Sequence, residues 1–183
     1  TCIIRPSAIG PVITGMILGE PMSEKEKSLD ELSKDLDVRR AKALGMGGPE
    51  KLEKRKKRGV MNARERMDYL LDDGSFIETG LLGQSSVYAA DKERTPADGK
   101  ICGFGKIEGR DISVSVNDFT VKGSSTSATN SKKVGHVRKY GSDRGMPVVF
   151  VGESTGARLP DAMGSKGMGA LLGNDITQFQ RMR

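Results

Sequence analysis

Hydrophobic side chains near the start of the chain recur at helical intervals within a highly charged stretch. Leu29, Leu32 and Leu36 form a narrow apolar stripe, which predicts an amphipathic helix that packs on a partner. Ser23 and Glu26 have the spacing of a capping box and predict where this helix begins. Its end is predicted by a cluster of helix-terminating residues: Gly45, Gly47, Gly48 and Pro49.

A second helix is predicted after a run of basic residues. Asn62 and Glu65 again have the spacing of a capping box, and Asp73 with Gly74 ends the helical pattern. In residues 51–59, six cations accompany a single acid, Glu53. We interpret this run as a solvated helix face, with contact to phosphates as the alternative. Interleaved aromatic side chains or a recognisable module would indicate nucleic-acid binding, and the run has neither.

After residue 75 the spacing changes to that of short strands. Strands are predicted at residues 76–77, 87–88, 101–107 and 112–116, and the last alternates in the manner of a half-buried strand. Glu108 and Gly109 begin a hairpin turn between the two longer strands. A helix at residues 127–140, a buried parallel strand at 147–151 and a glycine-rich stretch at 164–173 follow. This order of elements predicts an α/β fold.

Composition and charge narrow the class of protein. The chain has 183 residues, of which 36% are hydrophobic and 30% charged, so we expect one core built mainly from Ile, Val, Leu and Met. The net charge of +6 favours an anionic partner, such as a nucleic acid, a lipid surface or the phosphates of a cofactor. With Cys2 and Cys102 as the only cysteines, a disulfide-rich secreted protein is excluded and no zinc-site spacing occurs. We therefore expect no metal site and a reducing cytoplasm.

The first residues of the chain are mildly apolar without being a membrane segment. Prolines and glycines interrupt residues 1–21, which excludes a spanning helix and an ordinary signal peptide. Met22, followed by Ser23, resembles the natural start of a polypeptide chain. We interpret residues 1–21 as either non-native sequence or a disordered tail, and we expect no membrane partner.

The predicted strand at residues 147–151 ends abruptly in a turn of small residues that carries one arginine. Gly152 and Gly156 allow a sharp turn and a close approach to a ligand, and loops of this kind are where α/β folds place their chemistry. Residues 152–156 also match G-x-S-x-G, the nucleophile elbow of α/β-hydrolases, with Ser154 as the nucleophile. The hydrolase order is Ser, acid, His, but the only histidine, His136, precedes Ser154. A truncated hydrolase stays an alternative.

Several short motifs occur in one order: Ala63-Arg64-Glu65-Arg66, residues 70–78, Asp98-Gly99, residues 118–121 and Gly156-Ala157-Arg158. Together they resemble the amino-terminal domain of the carboxyltransferase of biotin-dependent acyl-CoA carboxylases, the class that includes propionyl-, acetyl- and methylcrotonyl-CoA carboxylases. The resemblance extends from about Arg39 to the end of the chain. The family commonly has Asp-Ser-Gly-Gly-Ala-Arg and then Ile-Gln-Glu-Gly, where this chain has Glu-Ser-Thr-Gly-Ala-Arg and then Leu-Pro-Asp-Ala. This departure bears on the acyl preference.

The resemblance implies a crotonase-like ββα superhelix at residues 75–183, preceded by a charged helical extension at residues 22–74. It implies transfer of a carboxyl group to the α carbon of an acyl-CoA from carboxybiotin, carried by a partner biotin carboxylase or biotin carboxyl carrier subunit. In this family two such domains form one subunit, and the active site lies between subunits. We therefore expect a homo-oligomer of a longer chain, of which these residues are a fragment that is inactive alone. Its expected location is the cytoplasm, or the mitochondrial matrix in a eukaryote.

The resemblance also assigns roles to residues of the turn. Taking a proton from the carbon beside a thioester places charge on the thioester oxygen, which requires fixed hydrogen-bond donors. Gly156, Ala157 and Arg158 are the implied catalytic residues, with the Ala157 N–H near the enolate oxygen. A second donor in this family comes from a Gly-Gly turn further along. The planar guanidinium of Arg158 suits steering of the transferred carboxyl group, and a structural ion pair with Glu153 or Asp161 is the alternative.

A second candidate segment follows residues 118–121. Gly123, Ser124 and Ser125 stand where the family often has Gly-Gly-Ser lining the substrate cleft, with a surface turn as the alternative. Lys132 or Lys133 either contacts the phosphates of coenzyme A or is an exposed helix lysine. In this family the biotin itself is thought to accept the proton, so no side-chain base is required.

Overall fold

A sheet of four strands forms the centre of the protein in the computed structural model, which describes residues 28–86 and 94–163. The strands are β1 (Ile77–Thr79), β2 (Lys100–Ile107), β3 (Arg110–Asn117) and β4 (Val148–Val151), in the spatial order β1-β2-β3-β4. The first two pairings are antiparallel and the third is parallel. The predicted tail at 1–21, strand at 87–88 and glycine-rich stretch at 164–173 lie outside the described residues.

The hairpin turn predicted to begin at Glu108 lies between β2 and β3, and in the structure it has two residues. Ile107 pairs with Arg110, which leaves Glu108 and Gly109 in the turn with φ angles of +50° and +77°. Two-residue hairpin turns require this left-handed region, which glycine adopts without steric cost. The carboxylate of Asp72 accepts hydrogen bonds from both turn N–H groups, at 2.9 and 2.8 Å. The sequence pattern and a long-range contact therefore favour the same hairpin.

Helix α4 (Ala128–Asp143) connects β3 with β4, and the two strands are parallel. It begins at Ser127, which forms a capping box with Asn130. Gly141 lets the helix lie directly on the sheet, because a Cβ atom there would be 2.3 Å from Oγ of Ser113. The predicted order of hairpin, helix and strand is confirmed.

Strand β4 is less buried than its apolar sequence predicts. Its parallel pairing with β3 agrees with the prediction, but Phe150 is 53% exposed. Among the described residues, β4 is an edge strand that pairs on one side only. The prediction of a buried strand is wrong here, because an apolar run describes the composition of a strand and not the number of layers that cover it.

Helix α1 (Leu29–Leu44) begins at the first leucine of its apolar stripe and not at the spacing of Ser23 and Glu26. Its capping box is formed by Ser28 and Glu31, and Ser28 has extended backbone with φ −64° and ψ 158°. The helix therefore starts at Leu29, and the predicted box lies outside the described residues. Leu29 and Leu32 are 84% and 48% exposed, so the stripe is largely solvent-accessible in this structure.

The next two helices, α2 (Pro49–Lys57) and α3 (Ala63–Leu70), follow closely. Helix α3 begins as predicted, with a capping box of Asn62 and Glu65. Buried side chains from the extension and from the sheet share one hydrophobic core: Met46, Ala63, Met67, Leu71, Ile101, Ile112, Val114 and Val116. The charged extension is thus attached to the sheet by apolar packing.

Candidate functional site

Two loops meet beside the sheet: the β3 loop (residues 118–127) and the β4 loop (residues 152–158). A parallel bridge joins Thr126 to Ala157, with Thr126 N–H donating to Gly156 O and Arg158 N–H donating to Thr126 O, both at 2.8 Å. Because the neighbours of Ala157 make these bonds, its own N–H points away from Thr126. No acceptor in the described part of the chain takes that N–H, and Ala157 is exposed. The bridge therefore holds an available backbone donor in a fixed direction.

The β3 loop turns sharply beside this donor. Lys122, Gly123 and Ser124 have left-handed φ angles of +50°, +61° and +50°. The Ser124 hydroxyl is buried and donates to the Gly99 carbonyl at 2.7 Å. Thr155 N–H donates to the Gly123 carbonyl at 3.0 Å, which joins the two loops directly. The structure thus brings together the predicted segments 123–125 and 156–158.

Arg158 is buried, and its guanidinium points into the protein. Its Nη1 lies 2.7 Å from Oδ1 of Asp98, and its Nε and Nη2 donate to Oγ and the carbonyl of Ser125 at 3.2 and 3.4 Å. The alternative of an ion pair with Glu153 or Asp161 is therefore wrong in its partner, because the ion pair is with Asp98. Asp161 lies in the short helix α5 (Leu159–Ala162), where its Oδ1 accepts from the Ala128 N–H at the start of α4. Arg158 therefore anchors the β4 loop to Asp98.

Asp98 is the residue of this network that sequence reasoning leaves without a role. It is fully buried, has a left-handed φ of +47°, and accepts from both Arg158 and the Ser127 hydroxyl. The Asn130 side chain donates to its carbonyl at 3.0 Å. The available sequence signal is the Asp98-Gly99 motif, which marks the turn but not its contacts.

Glu153, near the start of the β4 loop, forms ion pairs with two arginines of the extension. Nη1 and Nη2 of Arg55 donate to its two carboxylate oxygens at 2.9 and 2.8 Å, and Nη1 of Arg66 lies 2.8 Å from Oε2. The hydrogen bonds from Arg55 are the main cause that lowers the pKa of the Glu153 carboxyl. The loop is therefore anchored by charge near both ends.

The basic run on α2 is only partly a solvated face. Arg55 is turned inward with its side chain 13% exposed, and the Lys51 ammonium donates to the Thr120 carbonyl at 3.0 Å. These two residues lie one helical turn apart and each bonds to a loop, although Lys51, like Lys54 and Lys56, is exposed. The basic run therefore attaches α2 to the two loops through some side chains and exposes others to solvent.

A buried lysine, Lys100, and a partly buried one, Lys133, lie near the loops. Burial lowers the pKa of Lys100 to about 8, and its ammonium donates to Oδ1 of Asn117 at 2.8 Å. Burial also lowers the pKa of Lys133, whose ammonium donates to the carbonyls of Ala97 and Lys100 at 2.7 Å each. Lys133 is therefore neither an exposed helix lysine nor turned toward a coenzyme, because it ties α4 to the turn that holds Asp98. Its neighbour Lys132 is exposed.

Within residues 28–86 and 94–163, no catalytic triad surrounds Ser154. Its hydroxyl donates to the Ser124 carbonyl at 2.9 Å and accepts from Gly156 N–H at 3.1 Å. His136 is exposed on α4 beside Tyr140, and no described side chain hydrogen-bonds to Ser154 as a base. Ser154 is therefore a residue that shapes the loop.

These loops lie within a region that matches a known family. A model of the carboxyl transferase domain matches residues 54–181. The chain belongs to the carboxyl transferase domain family. The matched residues include α3, the sheet and both loops.

Individual relatives agree with this assignment. The propionyl-CoA carboxylase β chain of Cereibacter sphaeroides is 34% identical over 139 residues, covering 75% of this chain and 27% of that protein. The mitochondrial propionyl-CoA carboxylase β chain of Mus musculus is 34% identical over 158 residues, covering 84% of this chain and 28% of that protein. The solved structure of transcarboxylase 12S has a TM-score of 0.69 and 31% identity, covering 85% of this chain and 28% of that chain. It is a hexamer with methylmalonyl-coenzyme A and methylmalonic acid bound. The chain spans less than a third of each relative.

The comparisons decide the fold class among the sequence-based alternatives. The predicted crotonase-like α/β fold and the carboxyltransferase family are confirmed. The hydrolase and nucleic-acid-binding alternatives receive no support from them. Among the helices of residues 28–86 and 94–163, none is long and apolar enough to cross a membrane.

Proposed function

We propose that this domain transfers a carboxyl group from carboxybiotin to the α carbon of an acyl-CoA. The observation that carries the proposal is the exposed Ala157 N–H, which the bridge to Thr126 holds in one direction without an acceptor among the described residues. Such a donor stabilises the charge that develops on a thioester oxygen when the adjacent carbon loses its proton. Membership of the carboxyl transferase domain family supports the same chemistry.

Each predicted site residue has a role in this proposal. Gly156, with φ of +108°, provides the turn that directs the Ala157 N–H outward. Arg158 is a positioning residue, because its donors contact Asp98 and Ser125 inside the protein and are not available to steer a carboxyl group.

The β3 loop forms the opposite border of the proposed acyl-CoA site. Gly123 and Ser124 hold the β4 loop through their carbonyl groups. A Cβ atom on Gly123 would lie 2.5 Å from Cγ2 of Thr155, so only glycine permits this approach of the two loops. Ser125 contributes by contacting Arg158.

The partners belong to the proposal as well. We place the biotin on a separate biotin carboxylase or biotin carboxyl carrier subunit, and we expect the active enzyme to be a homo-oligomer. The hexamer described for transcarboxylase 12S supports an oligomer. The mouse relative is described as mitochondrial, which supports our proposal of the mitochondrial matrix for a eukaryotic enzyme. For a bacterial enzyme we propose the cytoplasm.

The test uses the full-length natural protein with a carboxylated biotin carrier protein. Propionyl-CoA and acetyl-CoA, which both have acidic protons on the α carbon, are supplied separately, and carboxylated product is measured by mass spectrometry. Ala157→Pro, which removes the N–H, should lower the rate about 10²–10³-fold, whereas the control Ala157→Gly retains the donor and most of the rate. Failure of the wild-type protein to carboxylate any acyl-CoA with an active carrier would overturn the proposal.

A further inference from the structure

The helical extension touches both loops that border the proposed site. Helix α2 contributes Arg55 and helix α3 contributes Arg66 to the ion pairs with Glu153 in the β4 loop. The connection before α2 contacts the β3 loop, where Gly47 N–H donates to Oγ1 of Thr120 at 2.9 Å. The extension is therefore in contact with both sides of the site.

The contact with the β3 loop is close. A Cβ atom on Gly47 would lie 2.3 Å from the Thr120 carbonyl oxygen. Lys51 donates to the same carbonyl at 3.0 Å, and the guanidinium of Arg55 lies 5.9 Å from the centre of the Phe119 ring. Arg55 thus contacts one loop through the ring of Phe119 and the other through the carboxylate of Glu153.

The contact with the β4 loop has the geometry of a strong ion pair. Arg55 binds Glu153 through two parallel hydrogen bonds, and the side chains of Arg55, Arg66 and Glu153 are 13%, 21% and 29% exposed. Bidentate arginine pairs fix direction as well as distance. The Glu153 carbonyl also accepts from Asn117 Nδ2 at 3.3 Å, which ties the same residue to the end of β3.

Glu153 and Arg158 hold the β4 loop from its two ends. The backbone between them contains no helix or strand, and it meets the β3 loop at Ala157 through an isolated bridge. A loop without its own regular structure takes its geometry from such anchors. Glu153 thus anchors the start of the segment whose end, at the bridge to Thr126, presents the Ala157 N–H.

We infer that Glu153, held by Arg55 and Arg66, is a positioning residue for the Ala157 donor, and that α2 and α3 are part of the machinery of carboxyl transfer. This inference rests on the proposed function. It gives the charged extension a role in the reaction beyond packing on the sheet.

The experiment compares variants of the full-length enzyme with its carboxylated biotin carrier. Glu153→Gln and Arg55→Met should each lower kcat about 10-fold or more, because a displacement of about 1 Å at a reacting centre costs up to about 10²-fold. The KM for acyl-CoA should change less than kcat. Glu153→Asp retains the charge and should keep more activity than Glu153→Gln. The matched control is Arg58→Met, which changes an exposed arginine next to the same helix.

Folding and function are separated within the same set of variants. The melting temperature and circular dichroism spectrum give the folded fraction, and kcat is expressed per folded molecule. The double variant Arg55→Met with Glu153→Gln should be no slower than the slower single variant, since each single substitution removes the same ion pair between Arg55 and Glu153. A wild-type kcat for Glu153→Gln, or equal losses in Arg55→Met and Arg58→Met, overturns the inference. An inactive wild type instead overturns the proposed function.

Discussion

The guanidinium of Arg158 lies among buried polar groups, where its charge is balanced by Asp98. A buried pair of this kind is costly to break, because the remaining charge has neither water nor a partner. Asp98 also accepts from Ser127 at the beginning of α4, so one carboxylate connects the β4 loop with a helix. The position of Ala157 depends on this connection, since Arg158 is the next residue.

Asp98→Asn and Arg158→Met should each lower the free energy of unfolding by about 3–5 kcal/mol. The double variant should lose less than the sum of the two, because the single variants remove the same interaction. Urea unfolding of all three variants measures this coupling. Asp111→Asn is the control, since its pair with Lys106 is exposed at 3.8 Å and should be worth at most about 1 kcal/mol. Additive effects at Asp98 and Arg158 would contradict the prediction.

Ser154→Ala should leave the carboxylation rate within a few-fold of wild type. The hydroxyl bonds to the Ser124 carbonyl and to Gly156 N–H, and a lost hydrogen bond of this kind costs about 0.5–1.5 kcal/mol. A fluorophosphonate probe should not label Ser154 in the folded protein. Stoichiometric labelling that disappears in Ser154→Ala would restore the hydrolase alternative.

Lys100 should make stability depend on pH between about 8 and 10.5. Burial lowers its folded pKa from 10.5 to about 8, so in this window the unfolded chain binds a proton that the folded protein has released. The free energy of unfolding therefore rises with pH across the window, by about 1.4 kcal/mol per pH unit at most. The difference between wild type and Lys100→Met, from urea unfolding at several pH values, isolates this contribution. The control Lys106→Met, at an exposed position, retains Lys100 and should keep the wild-type rise with pH.

At the scale of elements, close backbone approach determines where strands and helices meet. Gly103 on β2 lies opposite Glu78 on β1, and a Cβ atom there would be 2.1 Å from the Ile77 carbonyl oxygen. A methyl group at this position cannot be accommodated unless β1 moves. The short strand β1 thus depends on Gly103 of its neighbour, which the sequence does not distinguish from Gly105, the other glycine of β2.

Gly103→Ala should lower the free energy of unfolding by about 1–3 kcal/mol, the usual cost of overpacking. Gly45→Ala is the control, because its φ is −68° and its nearest contact would be 3.4 Å away. Thermal unfolding of both variants provides the measurement. Equal stability of the two variants would show that β1 separates from β2 without cost.

At the scale of the whole molecule, the extension and the sheet are joined by apolar packing and by charge. Met67 and Leu71 lie in the same core as Val114 and Val116. Arg64 pairs with Glu78 of β1 at 2.9 Å, in addition to the ion pairs of Glu153. The positive charge of the extension is therefore partly neutralised by Glu153 and Glu78. These ion pairs give part of the basic extension a structural role within the domain.

The sequence by itself determined the features whose causes are local. The capping box that starts α3 and the hairpin turn that begins at Glu108 depend on residues within one turn of each other. The order of short motifs indicated the family. Only the tertiary structure decided that Arg158 pairs with Asp98, 60 residues away, and that Arg55 pairs with Glu153, 98 residues away. Such pairs leave no periodic signal, because their geometry arises from the packing of loops and helices and not from the backbone preference of either residue.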